Sequence, residues 1–253
     1  MLPEALKNFH DGVYVITVES FKDRQANAVK ELGRDNFAFV YSVDRSLVTK
    51  QQMIDDGLYD EQRAIETDRS SKPMTLGHIC CSLGHANVYR HIIKNGIERA
   101  LIFEDDVTIL PNDEVAINVA VENIPADAEL IYWGWTGVAR RPRFAAAKQA
   151  LYKLQHSMGL LKYDHTMVAN LYPTAYNEYF SIAGKQFCAH AYTLTRSAAE
   201  KLLEWNTPVI LNADNALMYA VLNGDVKAYI SNRQFFGQRS LDENDPISSL
   251  TQS

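Results

Sequence analysis

Glu104-Asp105-Asp106 sets three consecutive carboxylates directly after an apolar run, Arg99-Ala100-Leu101-Ile102-Phe103, with Val107 and Ile109 beyond. Carboxylates crowded at the mouth of a hydrophobic strand repel one another and lose hydration, and both effects raise their pKa values. A hard divalent cation relieves both, and Mg²⁺ or Mn²⁺ commonly shares its coordination shell with substrate phosphates. The chemistry that suits the triplet is therefore a metal–diphosphate site. A solvated acidic turn has the same sequence, so the motif alone does not separate the two.

The surrounding elements favour the site. Gly12 to Val18 is β-branched and apolar, as a central strand would be. Phe21 to Leu32 has helical spacing and a stop at Gly33, and Phe37 to Val43 reads as a second strand. After a polar stretch from Asp44 to Lys72 with weak helical pieces, Pro73 to Gly77 is expected as a loop and Ile79 to Asn95 as a helix ended by Gly96. Ala100 to Phe103 is the strand that feeds the triplet. Further on, helices are expected over Asp113 to Asn123, Phe144 to Leu161, Ser197 to Trp205 and Asp214 to Leu222. Strands are expected over Glu129 to Trp133, Phe187 to Leu194 and Lys227 to Ile230.

Such alternation predicts an α/β fold with a largely parallel sheet, and the lack of repeats or low-complexity linkers predicts one domain. Ligands of these sheets bind beyond the carboxyl ends of the strands. The triplet, Thr17 to Arg24 and Asp44 all fall at such ends, as in a nucleotide pocket.

Composition bounds the class. A chain of 253 residues, 47% hydrophobic and 22% charged, has room for one large core of ordinary globular character. No apolar stretch approaches the ~20 residues that span a bilayer, and Met1 to His10 lacks the charged and apolar regions of a secretory leader. Three cysteines, Cys80, Cys81 and Cys188, form no disulfide framework and suggest a reducing compartment, with the cytoplasm expected. From Ala139 to His165, Arg140, Arg141, Arg143, Lys148, Lys153 and Lys162 face one acid, Asp164; this window of +5 leaves −11 for the rest of the chain. It reads as a basic helical insertion, either a solvated face or a contact for an anionic partner. The apolar Phe144, Leu151, Leu154, Met158 and Leu161 within it fit peripheral membrane contact, though packing against the sheet is the favoured expectation. A polar tail follows at about 240–253. The acidic balance and the absence of a basic–aromatic module argue against a nucleic-acid partner.

Several blocks, in order along most of the chain, resemble glycosyltransferase family 25, the lipooligosaccharide and lipopolysaccharide sugar transferases. Val15-Ile16-Thr17-Val18-Glu19 with Arg24 is similar to the family's opening V-I-N-L-D…R, with Thr17 for Asn. Ser42-Val43-Asp44-Arg45 resembles A-V-D-G. Leu76 through His85 resembles G-E-I-G-C-x-L-S-H, with His78, Cys80 and Gly84 departing from the pattern. Ala100 through Asp106 resembles A-L-I-L-E-D-D, and Ala191 through Leu203 resembles A-Y-x-I-S-R-x-A-A-x-K-L-L. Pro208 through Asp214 to Leu217 resembles a stretched P-x-D-x-x-L, and Gln238-Arg239-Ser240 the closing Q-x-S.

The resemblance implies a single-domain GT-A-like (Rossmann-like) fold. It also implies an inverting transfer of a hexose, galactose or glucose, from UDP-galactose or a related UDP-sugar to a lipopolysaccharide, lipooligosaccharide or related acceptor, lipid-linked or not. A divalent metal, Mn²⁺ or Mg²⁺, would sit on Asp106 with Glu104 or Asp105 in support. An inverting displacement needs a base opposite the leaving group; Asp214 is the family's carboxylate for that place, although it also reads as a helix N-cap. His190 is the second candidate. The likeness sets His85 near the donor. Thr17 and Asp44 are expected to hydrogen-bond base or ribose, and Arg24 to pair with phosphate or with Asp44.

Trp133, Trp135 and Tyr192 are sugar-platform candidates against the commoner core role. Zinc on Cys81, His85 and His78 is disfavoured, because no second paired-ligand cluster accompanies them. Two other classes stay open. A catalytically silent glycan- or nucleotide-binding relative fits the departures at Thr17, His78 and Gly84. A nucleotidyltransferase would share the carboxylates but needs a basic Gly-rich loop that Glu19-Ser20-Phe21 does not supply.

Overall fold

The computed structural model describes residues 1–111, 114–138, 140–187 and 189–239. Asp113, Ala139, Cys188, Ser240 and the polar tail lie outside the described residues. The chain opens with α1 (Glu4–Phe9), β1 (Gly12–Thr17), α2 (Lys22–Leu32) and β2 (Ala38–Tyr41). α3 (Lys50–Asp55) and α4 (Glu61–Thr67) are the helical pieces of the polar stretch, and α5 (Leu76–Asn95) leads to β3 (Arg99–Glu104) and β4 (Val107–Ile109). Next come α6 (Glu114–Glu122), β5 (Leu130–Tyr132), β6 (Thr136–Gly137), α7 (Ala145–Ser157) and α8 (His165–Ala169). Strands β7 (Thr174–Ala175), β8 (Phe180–Ile182), β9 (Gln186–Phe187) and β10 (Ala191–Thr195) precede α9 (Arg196–Trp205) and α10 (Ala213–Asn223); β11 (Ala228–Ser231) and β12 (Phe236–Gln238) follow.

Eight strands form one sheet in the order β2-β1-β3-β10-β5-β11-β8-β7. Six of them run the same way; β10 and β8 are reversed. The expectation of a mostly parallel sheet holds in strand direction, but β10 lies antiparallel between β3 and β5. Its apolar residues announce burial, and burial is blind to direction. The strand expected over Phe187 to Leu194 is thereby divided, since β9 pairs separately with β6.

Buried strands covered on both faces read as continuous apolar runs, and alternate residues serve opposite layers. Tyr14, Ile16, Ala100, Ile102 and Tyr192 pack with Val88, Tyr89 and Ile92 of α5 and Leu202 of α9. Val13, Val15, Leu101 and Phe103 pack on the other side with Leu6, Ala28, Leu32 and Ile117. A third cluster, including Met53, Tyr59, Ile79, Leu83, Met167 and Tyr219, anchors the start of α5.

Helix α5 begins three residues earlier than expected because Thr75 caps it, its hydroxyl accepting from the His78 amide at 3.2 Å. It ends as expected at Gly96, with φ of 64°. Midway, Gly84 lets the helix approach β1 and the loop after β2: an added Cβ would lie 2.8 Å from Ile16 Cγ2 and 2.9 Å from Ser42 Cβ. Gly84→Ala is therefore expected to lose about 1–3 kcal/mol of stability from overpacking, outweighing the ~1 kcal/mol helix-propensity gain of alanine. Urea unfolding checks this, with a lower midpoint expected at unchanged slope.

His10 ties α1 to the sheet in its neutral form. Trp133 Nε1 donates to Thr193 Oγ1 at 2.7 Å, Thr193 donates on to His10 Nε2 at 2.7 Å, and His10 Nδ1 donates to the Leu6 carbonyl at 2.5 Å. Burial lowers the His10 pKa from 6.5 to about 4. The unfolded chain thus takes the proton first. The stability tied to neutral His10 is complete above pH 6.5 and drains away as pH falls towards 4. The full effect is about 3 kcal/mol. Unfolding free energies measured across that window should fall more steeply for the native protein than for His10→Gln. Parallel slopes would contradict the assignment.

Candidate active site

Pairing brings four loops to one edge. Ile16 is in register with Glu104 at the ends of β1 and β3. Because β10 is reversed, its start lies there too, and the Glu104 amide donates to the His190 carbonyl at 3.0 Å. The short β4–β12 ladder, with Val107 opposite Gln238, folds the chain's closing block over the triplet.

The triplet divides. Asp105 turns inward: Thr17 Oγ1 donates to its Oδ2 at 2.6 Å, Arg24 Nη1 pairs with its Oδ1 at 2.9 Å, and Asn27 Nδ2 donates to its carbonyl at 3.0 Å. Burial raises the Asp105 pKa, with Arg24 and Thr17 opposing. Thr17, buried, and Arg24 therefore both meet the Asp105 carboxylate, a partner that the sequence did not announce for either. A buried charge needs partners, and these two side chains supply them.

Glu104 and Asp106 face elsewhere. Glu104 Oε2 accepts from Gln238 Nε2 at 2.8 Å, and its Oε1 lies 3.3 Å from His85 Nε2 and 4.0 Å from Cys81 Sγ. Burial, then Asp106, Asp214 and Asp105, push the Glu104 pKa well above the usual carboxylate range. Asp106 is 3% exposed, and its Oδ1 is buried without a hydrogen-bond partner. Asp214, in the first turn of α10, is half-buried, and its Oδ1 accepts from the Ala189 amide at 2.7 Å. It is not the N-cap: Asn212 fills that role, its side chain accepting from the Asn215 amide. The Asp214 carboxylate acts electrostatically on Glu104. A buried, unpartnered carboxylate oxygen beside other carboxylates is the donor set of a hard cation.

His85 is buried, with Nδ1 2.8 Å from Tyr192 Oη, which lies 3.1 Å from Tyr89 Oη. Burial lowers its pKa to about 4, so it stands neutral beside Glu104. Among the described residues, Cys81, His85 and Glu104 also bring one ligand atom each within 4.8 Å of one another. The third member of that group is Glu104, not His78.

Asp44, half-buried in the loop after β2, accepts from Ser20 at 2.5 Å and from the Ser46 amide at 2.9 Å, bonds that lower its pKa. Ser20 thus joins the loops after β1 and β2. His190 is 1% exposed; Nε2 is 3.4 Å from the Phe236 carbonyl and Nδ1 has no partner. It precedes β10 instead of lying within a strand, and burial lowers its pKa. Trp133, Trp135 and Tyr192 are buried, the tryptophan N–H groups donating to Thr193 Oγ1 and the Ser231 carbonyl, so none is a sugar platform. Gln238, Asn27 and Tyr89 were not anticipated as site residues. Gln238 alone had a signal, its place in the closing Q-x-S block.

A sequence model of glycosyltransferase family 25 (LPS biosynthesis protein) matches residues 10–217. Human procollagen galactosyltransferase 2 is 29% identical over 130 residues, 49% of this chain and 20% of that protein. Human inactive glycosyltransferase 25 family member 3 is 26% identical over 129 residues, 49% of this chain and 22% of that protein. The chain thus spans about a fifth of the length of these curated relatives. A solved structure of mannose-1-phosphate geranyltransferase from Thermus thermophilus aligns with a TM-score of 0.34 at 9% identity, covering 89% of this chain and 75% of that one. With most of its length inside the family's own pattern, including the triplet and Asp214, the chain belongs to glycosyltransferase family 25.

Proposed function

We propose that residues 1–253 are one GT-A-type glycosyltransferase domain, with a basic insertion at about 139–165, that moves a hexose from a UDP-sugar to a glycan hydroxyl with inversion. Galactose or glucose is the favoured sugar, and lipopolysaccharide, lipooligosaccharide or a related cell-surface polysaccharide the acceptor. The observation that carries this reading is the buried, unpartnered Asp106 Oδ1 beside Glu104, in a cluster that also holds Asp214. Asp106 and Glu104 would hold Mn²⁺ or Mg²⁺, which when bound neutralises charge building on the leaving diphosphate.

The chain's own residues do the rest. His85 and Gln238 orient Glu104, while Thr17 and Arg24 hold Asp105 and with it the turn that aims Asp106. Asp44, in the loop after β2, would accept from the donor's ribose or base. Asp214 takes the acceptor hydroxyl proton, as a base opposite the leaving group must. His190 is the weaker alternative, since burial depresses its proton affinity. Free Cys80 and Cys81 suit the reducing cytoplasm.

A second reading, a catalytically silent relative, is favoured by one observation: the human family member named inactive matches as much of this chain as the galactosyltransferase does. A donor-hydrolysis screen decides between them. UDP-, GDP-, CMP- and TDP-sugars are offered with Mn²⁺ or with EDTA, and released nucleotide is read. Metal-dependent release from one donor supports the transferase and names its sugar. No release from any donor, together with no metal-dependent nucleotide binding, supports the silent relative.

A further inference from the structure

Helix α7 carries its apolar stripe outward. Its inward side bears Ala145 and the polar Gln149, whose Nε2 donates to the Val168 and Ala169 carbonyls at 2.8 and 2.9 Å and whose Oε1 accepts from Arg141 at 2.7 Å. At helical spacing, Phe144, Leu151, Leu154 and Met158 share the opposite side. They are 71, 52, 57 and 62% exposed, and Leu160 just beyond is 70% exposed. This overturns the expectation that these residues pack against the sheet; only Leu161 of that set is half-buried. A folded protein seldom leaves so continuous an apolar patch without an occupant.

Charge identifies the occupant. Lys148 is exposed along one edge of the stripe, Lys153 is exposed one turn beyond Gln149, and Arg140 and Arg143 are exposed just before the helix. From Arg140 to Tyr163 there are six cations and no acid, in a chain whose net charge is −6. Two copies packed symmetrically through this face would set one cationic rim against the other. A bilayer with anionic headgroups meets both features at once: the stripe enters the acyl boundary while the lysine stems extend to the phosphates. No helix among the described residues is long and apolar enough to cross a membrane, so the contact is peripheral.

We propose that the outward face of α7, with Phe144, Leu151, Leu154 and Met158 and the exposed cations Lys148 and Lys153 of the same helix, seats this protein on an anionic membrane surface. The proposal stands independently of the reaction catalysed.

The test is co-sedimentation of the full chain with phosphatidylcholine vesicles, with and without about 30% phosphatidylglycerol. Binding is expected to the anionic vesicles, weakening as salt rises from about 0.1 to about 0.5 M. Leu151→Ser/Leu154→Ser should lower the partition coefficient at least about tenfold, and Lys148→Glu/Lys153→Glu should abolish the preference for anionic lipid. These positions are exposed, so both variants should keep the native melting temperature. A native chain that stays in the supernatant overturns the proposal, as does a serine variant that binds like the native protein. Ultracentrifugation supplies a further outcome: a dimer lost in the serine variant, without vesicle binding by the native chain, would make this face an interface between copies instead.

Discussion

Asp106→Asn is expected to lower turnover about 10³-fold or more, the scale of removing a group that stabilises developing charge, while making the metal-free protein more stable. The two effects share one cause. Asp106 Oδ1 is buried without a partner, and its charge helps push the Glu104 pKa upward. The amide keeps the shape, removes a repelling charge and lowers the burial cost, a gain of about 1–3 kcal/mol. Thermal unfolding in EDTA should show the variant melting above the native protein. Added Mn²⁺ should raise the native melting temperature and leave the variant's unchanged. A variant that melts lower in EDTA would mean that Asp106 has a structural partner instead.

Asp214→Asn is expected to reduce the transfer rate about 10²- to 10⁴-fold, the usual contribution of a positioned base, with nucleotide binding retained. The Ala189 amide can still donate to the amide oxygen, so the start of α10 is preserved and loss of fold is not the cause. His190→Gln should cost much less. Parallel kcat and KM measurements on the three proteins check the assignment. A fall in Asp214→Asn through KM alone would make Asp214 a binding residue, and a larger fall in His190→Gln would move the base there.

The strands that build the site were legible because strands buried on both faces write themselves as apolar runs, as Gly12 to Thr17 and Arg99 to Glu104 do. The triplet was legible for the opposite reason, as charge where burial was expected. What stayed hidden depends on distant partners. Nothing local says that β10 is reversed, yet that reversal delivers His190 to the site. Likewise, Thr17 and Arg24 have types suited to a nucleotide, and only the fold shows that Asp105 claims them. Gln238 reaches Glu104 through a ladder of three residue pairs too short to leave a pattern. In α7 the apolar period was visible, but its phase relative to the protein was not. A helix with Leu151 and Leu154 outside reads like one with them inside until Gln149 is found buried against α8.

Calorimetric titration of UDP into the protein, with Mn²⁺ and with EDTA, tests most directly whether this carboxylate cluster holds a metal–diphosphate. The account predicts binding with Mn²⁺, at least about tenfold weaker binding in EDTA, and the same weakening in Asp106→Asn with the metal present. Equal affinity with and without the metal, or an Asp106→Asn variant that binds like the native protein, would contradict it.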